Sequence, residues 1–353
     1  MSSMNSEQPL VSIVIPSYNK ADLLIEMVDS IIKQTYSNWE LTIVDDGSEE
    51  IEFSKIQSFL ENDERCHLLS RNREPKNGNT CRNIGMESSH GDFLLFFDSD
   101  DLITPICIEN RVLFMQAHPE CDYSSFPYAV FQNGDQSPFL NGEKRFKKVP
   151  EAEIISNILK VDYPFTVWSN IYRKSSILSL NLKWDERIYV YQDFDFMLMS
   201  ALSNLKHAYS DGSPDYYYRQ FKKGNNVSGN YVSDIKIQSS YYLFSKALSF
   251  LDKRFDSEDR KKDITSFIYT HIERLIKACK YTETEAFVKM LSMHYERDFV
   301  SRIEAINHRC KKIKSYKRRQ ICLHYMLYKA SGIRLFKLLF FHEVIKSVIP
   351  FRR

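Results

Sequence analysis

An apolar run that ends in acids limits what this chain can fold into more than any other segment. Phe93-Leu94-Leu95-Phe96-Phe97 stops at Asp98-Ser99-Asp100-Asp101, three carboxylates in four positions. An apolar run of this length bounded by polar residues predicts a buried strand, with the acids at its carboxyl end. In open α/β sheets that edge is where ligands bind. Three like charges so close repel one another unless a cation neutralises them, and oxygen-only ligands suit Mg²⁺ or Mn²⁺. An acidic turn capping the next helix fits the same letters, because Asp and Ser are good turn and cap residues.

The flanking segments alternate strand-like and helix-like patterns, as in βαβ units around a parallel sheet. Residues 10–15 (Leu-Val-Ser-Ile-Val-Ile) predict a strand stopping at Pro16, and residues 22–32 a helix. Residues 40–44 predict a second strand that runs straight into Asp45-Asp46-Gly47-Ser48. A helix over 51–60, a strand near 67–69, a helix over 80–88 and the strand at 93–97 complete a nucleotide-binding type of layout. Right-handed connections then put both acid clusters on one edge of the sheet. From about residue 121 to 174 the pattern is less regular, with 122–132 strand-like and 139–150 loop-like and basic. Residues 235–353 read as almost wholly helical.

Charge separates the two ends of the chain. The net charge is +2, yet residues 302–353 hold fourteen Lys/Arg against Glu304 and Glu343, about +12, which leaves about −10 elsewhere. The start Met1-Ser-Ser-Met-Asn-Ser-Glu lacks the basic and apolar regions of a signal peptide, and no run of ~18 apolar residues offers a membrane span. Seven scattered cysteines without a Cys-x-x-Cys pair predict free thiols in a reducing cytosol, which makes the sequon at Asn226 incidental. Aromatic residues make up 14% of the chain, a content that suits core packing or stacking surfaces.

The order of motifs resembles the family 2 glycosyltransferases, whose nucleotide-sugar domain has the GT-A fold. The resemblance covers roughly residues 9–230. It rests on Val14-Ile15-Pro16-Ser17-Tyr18-Asn19, Ile43-Val44-Asp45-Asp46-Gly47-Ser48, Arg82-Asn83-Ile84-Gly85, and Gly91-Asp92-Phe93 leading into the Asp98 cluster. It implies an α/β GT-A domain over 1–230, with a nucleotide-binding half at about 9–101 and an acceptor half at about 102–230. A helical, basic region follows at 231–353. Pro16, Tyr18, Asn19, Asp45, Asp46, Arg82, Asp98 and Ser99 are then expected at the nucleotide. A carboxylate can accept the N3 hydrogen of uracil, and the family assigns that to the second acid, Asp46. Arg82 near a helix start would pair with base or phosphate oxygens. Asp98 and Asp100 form the Asp-x-Asp motif, with Asp100 the expected direct ligand of Mn²⁺ or Mg²⁺.

Further on, Trp168, Gln192 and Arg219 are expected around the donor and acceptor. Asp193 aligns with the family base that deprotonates the acceptor hydroxyl, and Asp195 is the second candidate. The chain departs from the family pattern at Gln192, which stands where relatives usually carry Glu, and at Met199, where many carry arginine. A helix start in which Asp193 and Asp195 complement the dipole is the other reading of these letters.

The resemblance implies an inverting, metal-dependent transfer from a nucleotide sugar, UDP-linked by expectation, to a saccharide hydroxyl. The expected acceptor is a lipid-linked polysaccharide precursor. The basic, aromatic segments 311–319 and 333–341 suit an anionic membrane surface, so the enzyme is expected in the cytoplasm with peripheral contact at the inner face of the membrane. No nucleic-acid recognition module accompanies the charge, and nothing in the sequence names an oligomeric state. A nucleotide-sugar-binding protein that has lost its base, and a nucleotidyltransferase, are the competing functions.

Overall fold

The computed structural model of the chain describes residues 8–135, 137–221, 232–254, 256–331 and 334–348. The loop expected over 224–228, with its sequon at Asn226, lies outside the described residues, as does Ile333. The chain divides into two compact units, Met1–Ile158 with Tyr163–Gly229, and Leu159–Asp162 with Asn230–Arg353.

The first unit is built on two sheets. Its strands are β1 (Val11–Ser17), β2 (Trp39–Asp45), β3 (Cys66–Ser70), β4 (Phe93–Phe96), β5 (Leu102–Ile103), β6 (Tyr123–Ser125), β7 (Tyr128–Gln132), β8 (Glu143–Arg145), β9 (Asn170–Arg173), β10 (His207–Tyr209) and β11 (Tyr216–Gln220). The larger sheet runs β10-β6-β9-β4-β1-β2-β3 and the smaller β5-β11-β7-β8. β1 pairs in parallel with both β2 and β4, so the chain leaves β1 in one direction and returns on its other side. That reversal is a topological switch point, where a crevice opens beyond the strand ends. β9 closes the parallel part, pairing antiparallel with β4 and β6.

Helices α1 (Ala21–Ile32), α2 (Glu50–Leu60), α3 (Gly78–Ser88) and α4 (Cys107–Ala117) alternate with these strands. α5 (Pro138–Asn141), α6 (Glu151–Leu159), α7 (Lys174–Ser179) and α8 (Gln192–Leu202) follow. α1 buries Leu24, Met27, Val28 and Ile31, the i, i+3, i+4, i+7 stripe of an amphipathic helix. The sheet side of this packing is Val11, Ile13, Ile15, Leu41, Ile43 and Leu95, all fully buried. Burial on this scale contributes about 1.5–3 kcal/mol per large apolar side chain.

Two local expectations give way. β1 does not stop at Pro16 but continues to Ser17, pairing Pro16 with Val44. β4 pairs only as far as Phe96 opposite Val14, so the missing proline N–H leaves no gap in a ladder on that side. The strand-like stretch 122–132 is two strands in different sheets, β6 and β7, and the loop-like stretch 139–150 contains β8.

The described elements of the second unit are helices: α9 (Asp234–Leu251), α10 (Ser257–Lys277), α11 (Tyr281–Leu291), α12 (Arg297–Lys311), α13 (Tyr316–Ser331) and α14 (Arg334–Val348). Its core includes Phe244, Ile268, Ile272, Ile276, Phe287, Ile303 and Leu323. No described helix is long and apolar enough to cross a membrane.

Candidate functional site

The carboxyl ends of β1, β2 and β4 lie side by side, and register alone aligns their acids. Ser17 sits opposite Asp45, and Asp45 opposite Ser70. The two acids of the first cluster do different things. Asp45 accepts the backbone N–H groups of Gly47 and Ser48, each at 2.9 Å, through one oxygen and the Ser48 hydroxyl through the other. Asp45 therefore shapes the turn, which Gly47 completes at φ +82°. Asp46 accepts from Arg71 Nε at 2.7 Å. Burial pushes its carboxyl above the ordinary range, against the pull of Arg71 and Lys76.

Tyr18 and Asn19 extend from β1 over this turn. Asn19, at φ 49°, donates its backbone N–H to the Ser48 hydroxyl oxygen at 2.9 Å and accepts Glu49 N–H on its side-chain oxygen at 2.8 Å. Tyr18 is 48% exposed, with the Lys76 ammonium 3.9 Å above its ring centre. The pair forms a cationic, aromatic rim beside Asp46.

α3 starts at Asn77, whose side chain caps Thr80 N–H at 2.9 Å. Its letters are polar, yet residues 79–86 are all buried. The reason is a second set of partners: Asn79 donates to Asp185 O, and Asn83 exchanges two bonds with the Trp184 backbone. These side chains moor segment 184–188, and through it the start of α8. Arg82, 8% exposed, reaches Asp98 Oδ1 at 2.8 Å and Gln192 Oε1 at 3.2 Å, with its guanidinium 4.6 Å from the Trp184 ring centre. A neutral amide at position 192 accepts from Arg82 without competing as a second charge for its guanidinium.

The acids that follow β4 separate into two kinds. Asp101 is fully buried, accepting Tyr216 O–H at 2.6 Å and Arg219 N–H at 2.7 Å. Burial and its acidic neighbours raise its carboxyl well above the ordinary range. It is a strut. Asp98 and Asp100 keep side-chain exposures of 29% and 20%, and Asp100 holds the Lys20 ammonium at 2.5 Å. Ser99 is buried in the turn between them. Among the described residues no three His, Cys, Asp or Glu side chains gather into a metal cage. A Mg²⁺ or Mn²⁺ site commonly needs only one or two carboxylates, with substrate phosphates and water completing it. Asp98 and Asp100 are hard oxygen donors of that kind, and the Lys20 ammonium already marks a cation position on Asp100. The residues fit the ion.

Asp193 approaches the same edge from α8. Phe96, two residues before Asp98, packs edge-on against Phe196, three residues after Asp193, at 5.7 Å, and Trp184 stacks on Phe196 at 4.3 Å. This aromatic block fixes β4 and α8 together. Asp193 is half-buried, and its carboxyl is pushed up to about 6, first by burial and then by the Asp98 carboxylate, with Arg82 opposing.

Three expected site residues are buried. Asp195, the second base candidate, is 2% exposed on the core side of α8. Arg219 is 6% exposed, and its donors reach Asp100 O, Asn133 and Glu26. Trp168 is 6% exposed, stacked between Tyr216 and Tyr218 at 4.5 and 5.6 Å. Both Arg219 and Trp168 support the acid turn from below. Sequence reasoning did not single out Lys20, Arg71, Lys76 or Tyr218, although Lys20 follows the Tyr18-Asn19 motif directly. Tyr218 is half-buried, and its phenol is pushed up to about 12 by burial and by Asp101, Asp98, Asp100 and Asp193.

Residues 12–179 match the model of glycosyl transferase family 2. An uncharacterized glycosyltransferase of Haemophilus influenzae is 32% identical over 140 residues, 39% of this chain and 54% of that protein. The chain thus spans about half the length of that relative. The putative teichuronic acid biosynthesis glycosyltransferase TuaG of Bacillus subtilis is 31% identical over 157 residues, 44% of this chain and 60% of that one. Among solved structures, S. aureus TarS 1–349 in complex with UDP-GlcNAc aligns over 97% of this chain and 93% of that one, with a TM-score of 0.63 at 18% identity. At that identity the likeness is one of fold, and the expected GT-A layout with a helical carboxyl-terminal region holds.

Proposed function

We propose, from the match of residues 12–179 to glycosyl transferase family 2, that the chain transfers a sugar from a nucleotide sugar to a saccharide hydroxyl, with inversion at the anomeric carbon. The observation that carries the reading is Asp193, a half-buried carboxyl pushed up to about 6, on the same edge as Asp98, Arg82 and Asp46. A general base works best when its pKa lies near the operating pH.

Asp46, Tyr18 and the Lys76 rim would receive the nucleoside, and UDP is the favoured nucleotide because the structural relative TarS was crystallised with UDP-GlcNAc. Arg82 stands between the nucleotide edge and Gln192, so its guanidinium reaches the donor's diphosphate side while keeping α8 in register. Asp193 takes the proton from the acceptor hydroxyl as that oxygen attacks the anomeric carbon, and the bond to the diphosphate breaks on the opposite face. Asp98 and Asp100 would hold Mg²⁺ or Mn²⁺, which when bound supplies positive charge against the leaving diphosphate. Tyr216, Arg219 and buried Asp101 keep the acid turn rigid, so this charge is organised before substrate arrives.

A polysaccharide precursor is the favoured acceptor, since TuaG is named for teichuronic acid biosynthesis. The basic run 311–319 and the exposed Tyr316, Leu338 and Phe341 support a peripheral contact with an anionic membrane.

The test is a panel of nucleotide sugars incubated with saccharide acceptors and Mn²⁺. Release of the nucleoside diphosphate for one sugar, abolished by a chelator and restored by Mn²⁺, is expected. Pyrophosphate release from nucleoside triphosphates would point to nucleotidyl transfer instead. Donor binding without turnover on any acceptor would favour a binding protein.

A further inference from the structure

The two acids of the turn that stay partly open are each held by a cation, and the two cations are held differently. Arg82 donates to Asp98 Oδ1 at 2.8 Å and to Gln192 Oε1 at 3.2 Å, with its guanidinium over the Trp184 ring. Three partners from three segments fix it. Lys20 reaches Asp100 Oδ2 at 2.5 Å from a side chain that is 26% exposed, and the Phe221 ring is centred 6.0 Å from its ammonium. That is the outer limit of a cation–π contact, so the carboxylate is the main hold on this cation.

The backbone around Lys20 is fixed where its side chain is not. Its carbonyl accepts Leu24 N–H at 3.0 Å in the first turn of α1. Asn19 is tied to Ser48 and Glu49 on one side, and Ala21 N–H to Glu52 Oε2 at 2.7 Å on the other. Asp100 is fixed as well, because its carbonyl accepts Arg219 Nε at 2.6 Å and the adjacent Asp101 is locked by Tyr216 and Arg219. Lys20 is thus a compact charge on a flexible four-carbon stem, tethered beside a rigid acid.

We propose that Lys20 is an exchangeable counter-ion, which neutralises Asp100 while the donor is away, yields that carboxylate to a divalent cation, and then binds the donor's diphosphate. The proposal rests on the reading of Asp98 and Asp100 as the metal acids. Lys20 leaves Asp100 when a divalent cation shares the carboxylate, because like charges within ~4–6 Å disfavour one another. A diphosphate beside that cation gives the released ammonium a new anion, which lysine binds as a point charge. The exchange makes and breaks no covalent bond. It couples the two ligands, since a metal arriving alone must displace Lys20, whereas a nucleotide supplies the displaced ammonium with a partner. Arg82, stacked on Trp184 and shared with Gln192, stays with Asp98 throughout.

The experiment follows Mn²⁺ binding to the full chain through the electron paramagnetic resonance signal of the free ion, and UDP binding at saturating Mn²⁺ by calorimetry. Neither readout needs turnover. In Lys20→Met, Mn²⁺ alone should bind about two- to fivefold tighter, the range that a partly exposed ion pair is worth. UDP should bind about tenfold weaker, through loss of a charge-assisted contact. Lys20→Arg keeps the charge but grips Asp100 with a planar fork, so Mn²⁺ alone should bind about twofold weaker or more. Unchanged Mn²⁺ affinity in Lys20→Met would overturn the proposal. So would a Lys20→Arg protein that matches the parent, which would mean that only the local field had changed, or a uniform weakening of both ligands in both variants, which would mark a structural ion pair. Asp100→Asn tells the two readings apart. If it removes no Mn²⁺ site from the parent, the metal reading falls and the proposal with it; if it removes the site and position 20 has no effect on that site, the proposal alone falls.

Discussion

Replacing Asp193 by Asn separates the two readings of that residue by the sign of a stability change. The native carboxyl titrates at about 6 against 3.8 in an exposed chain. A raised carboxylate contributes stability that is full below 3.8 and is lost as the pH rises through about 6, because above that range the folded state must carry the charge. At pH 8 the charged form therefore costs up to about 3 kcal/mol, and partial exposure to solvent reduces this to about 1–2 kcal/mol. Asn mimics the neutral acid at every pH. Asp193→Asn should thus be more stable than the parent at pH 8, raising Tm by about 2–8 °C for a unit of this size, and the gain should vanish below pH 4. Nucleoside diphosphate release should fall by 10²–10⁴-fold, roughly the contribution of a general base. Thermal unfolding at pH 4 and 8, beside the transfer assay, reads both. A helix-dipole role gives the opposite sign, a loss of about 0.3–1 kcal/mol at pH 8. A less stable variant at pH 8, or a difference that ignores pH, would refute the reasoning.

Arg82→Lys should weaken donor binding about 10–100-fold with little change in fold, because an ammonium cannot bridge Asp98 and Gln192 as the planar guanidinium does; calorimetric titration with the nucleotide checks it. Asp215→Asn should lose about 3–5 kcal/mol in denaturant unfolding, since it strands the fully buried Arg111 guanidinium that Asp215 holds at 2.7 and 2.8 Å. The double change Arg111→Met with Asp215→Leu should recover much of that loss. Lys317→Glu, Arg318→Glu and Arg319→Glu together should reduce sedimentation with anionic liposomes by about 100-fold or more, at about 1 kcal/mol for each cation removed, and leave neutral liposomes unaffected.

Much of the site was legible because its signal is local. A β-branched or aromatic run has one face pattern, and the acids that end it cannot be buried without partners, so the strands and the two acid clusters followed from adjacent letters. Asp45, Asp46 and Gly47 could be read as a turn beside a ligand edge for the same reason. The helical second region was equally plain from its lack of strand alternation. Arg219 and Trp168 could not be placed from the letters alone, because arginine and tryptophan serve burial and ligand contact alike. Only the packing around β11 shows that both are buried beside the acid turn. The polar α3 was opaque as well, since Asn79 and Asn83 find their partners about one hundred residues away in segment 184–188.

The sequence by itself determined the order of strands and helices through β4, the acids at the carboxyl ends of β2 and β4, and a resemblance of these motifs to the family 2 glycosyltransferases. It did so because strand and helix periods are short-range, and a charged cluster after an apolar run has few ways to be solvated. The tertiary structure decided which acid does what. Asp45 and Asp101 are fully engaged in holding turns, Asp46 is buried against Arg71, Asp98 and Asp100 remain partly open beside cations, and Asp193 alone among the acids of α8 reaches the edge. Apart from Asp45, whose turn partners are Gly47 and Ser48, that division depends on burial and on partners contributed from distant segments, quantities that no stretch of adjacent letters encodes.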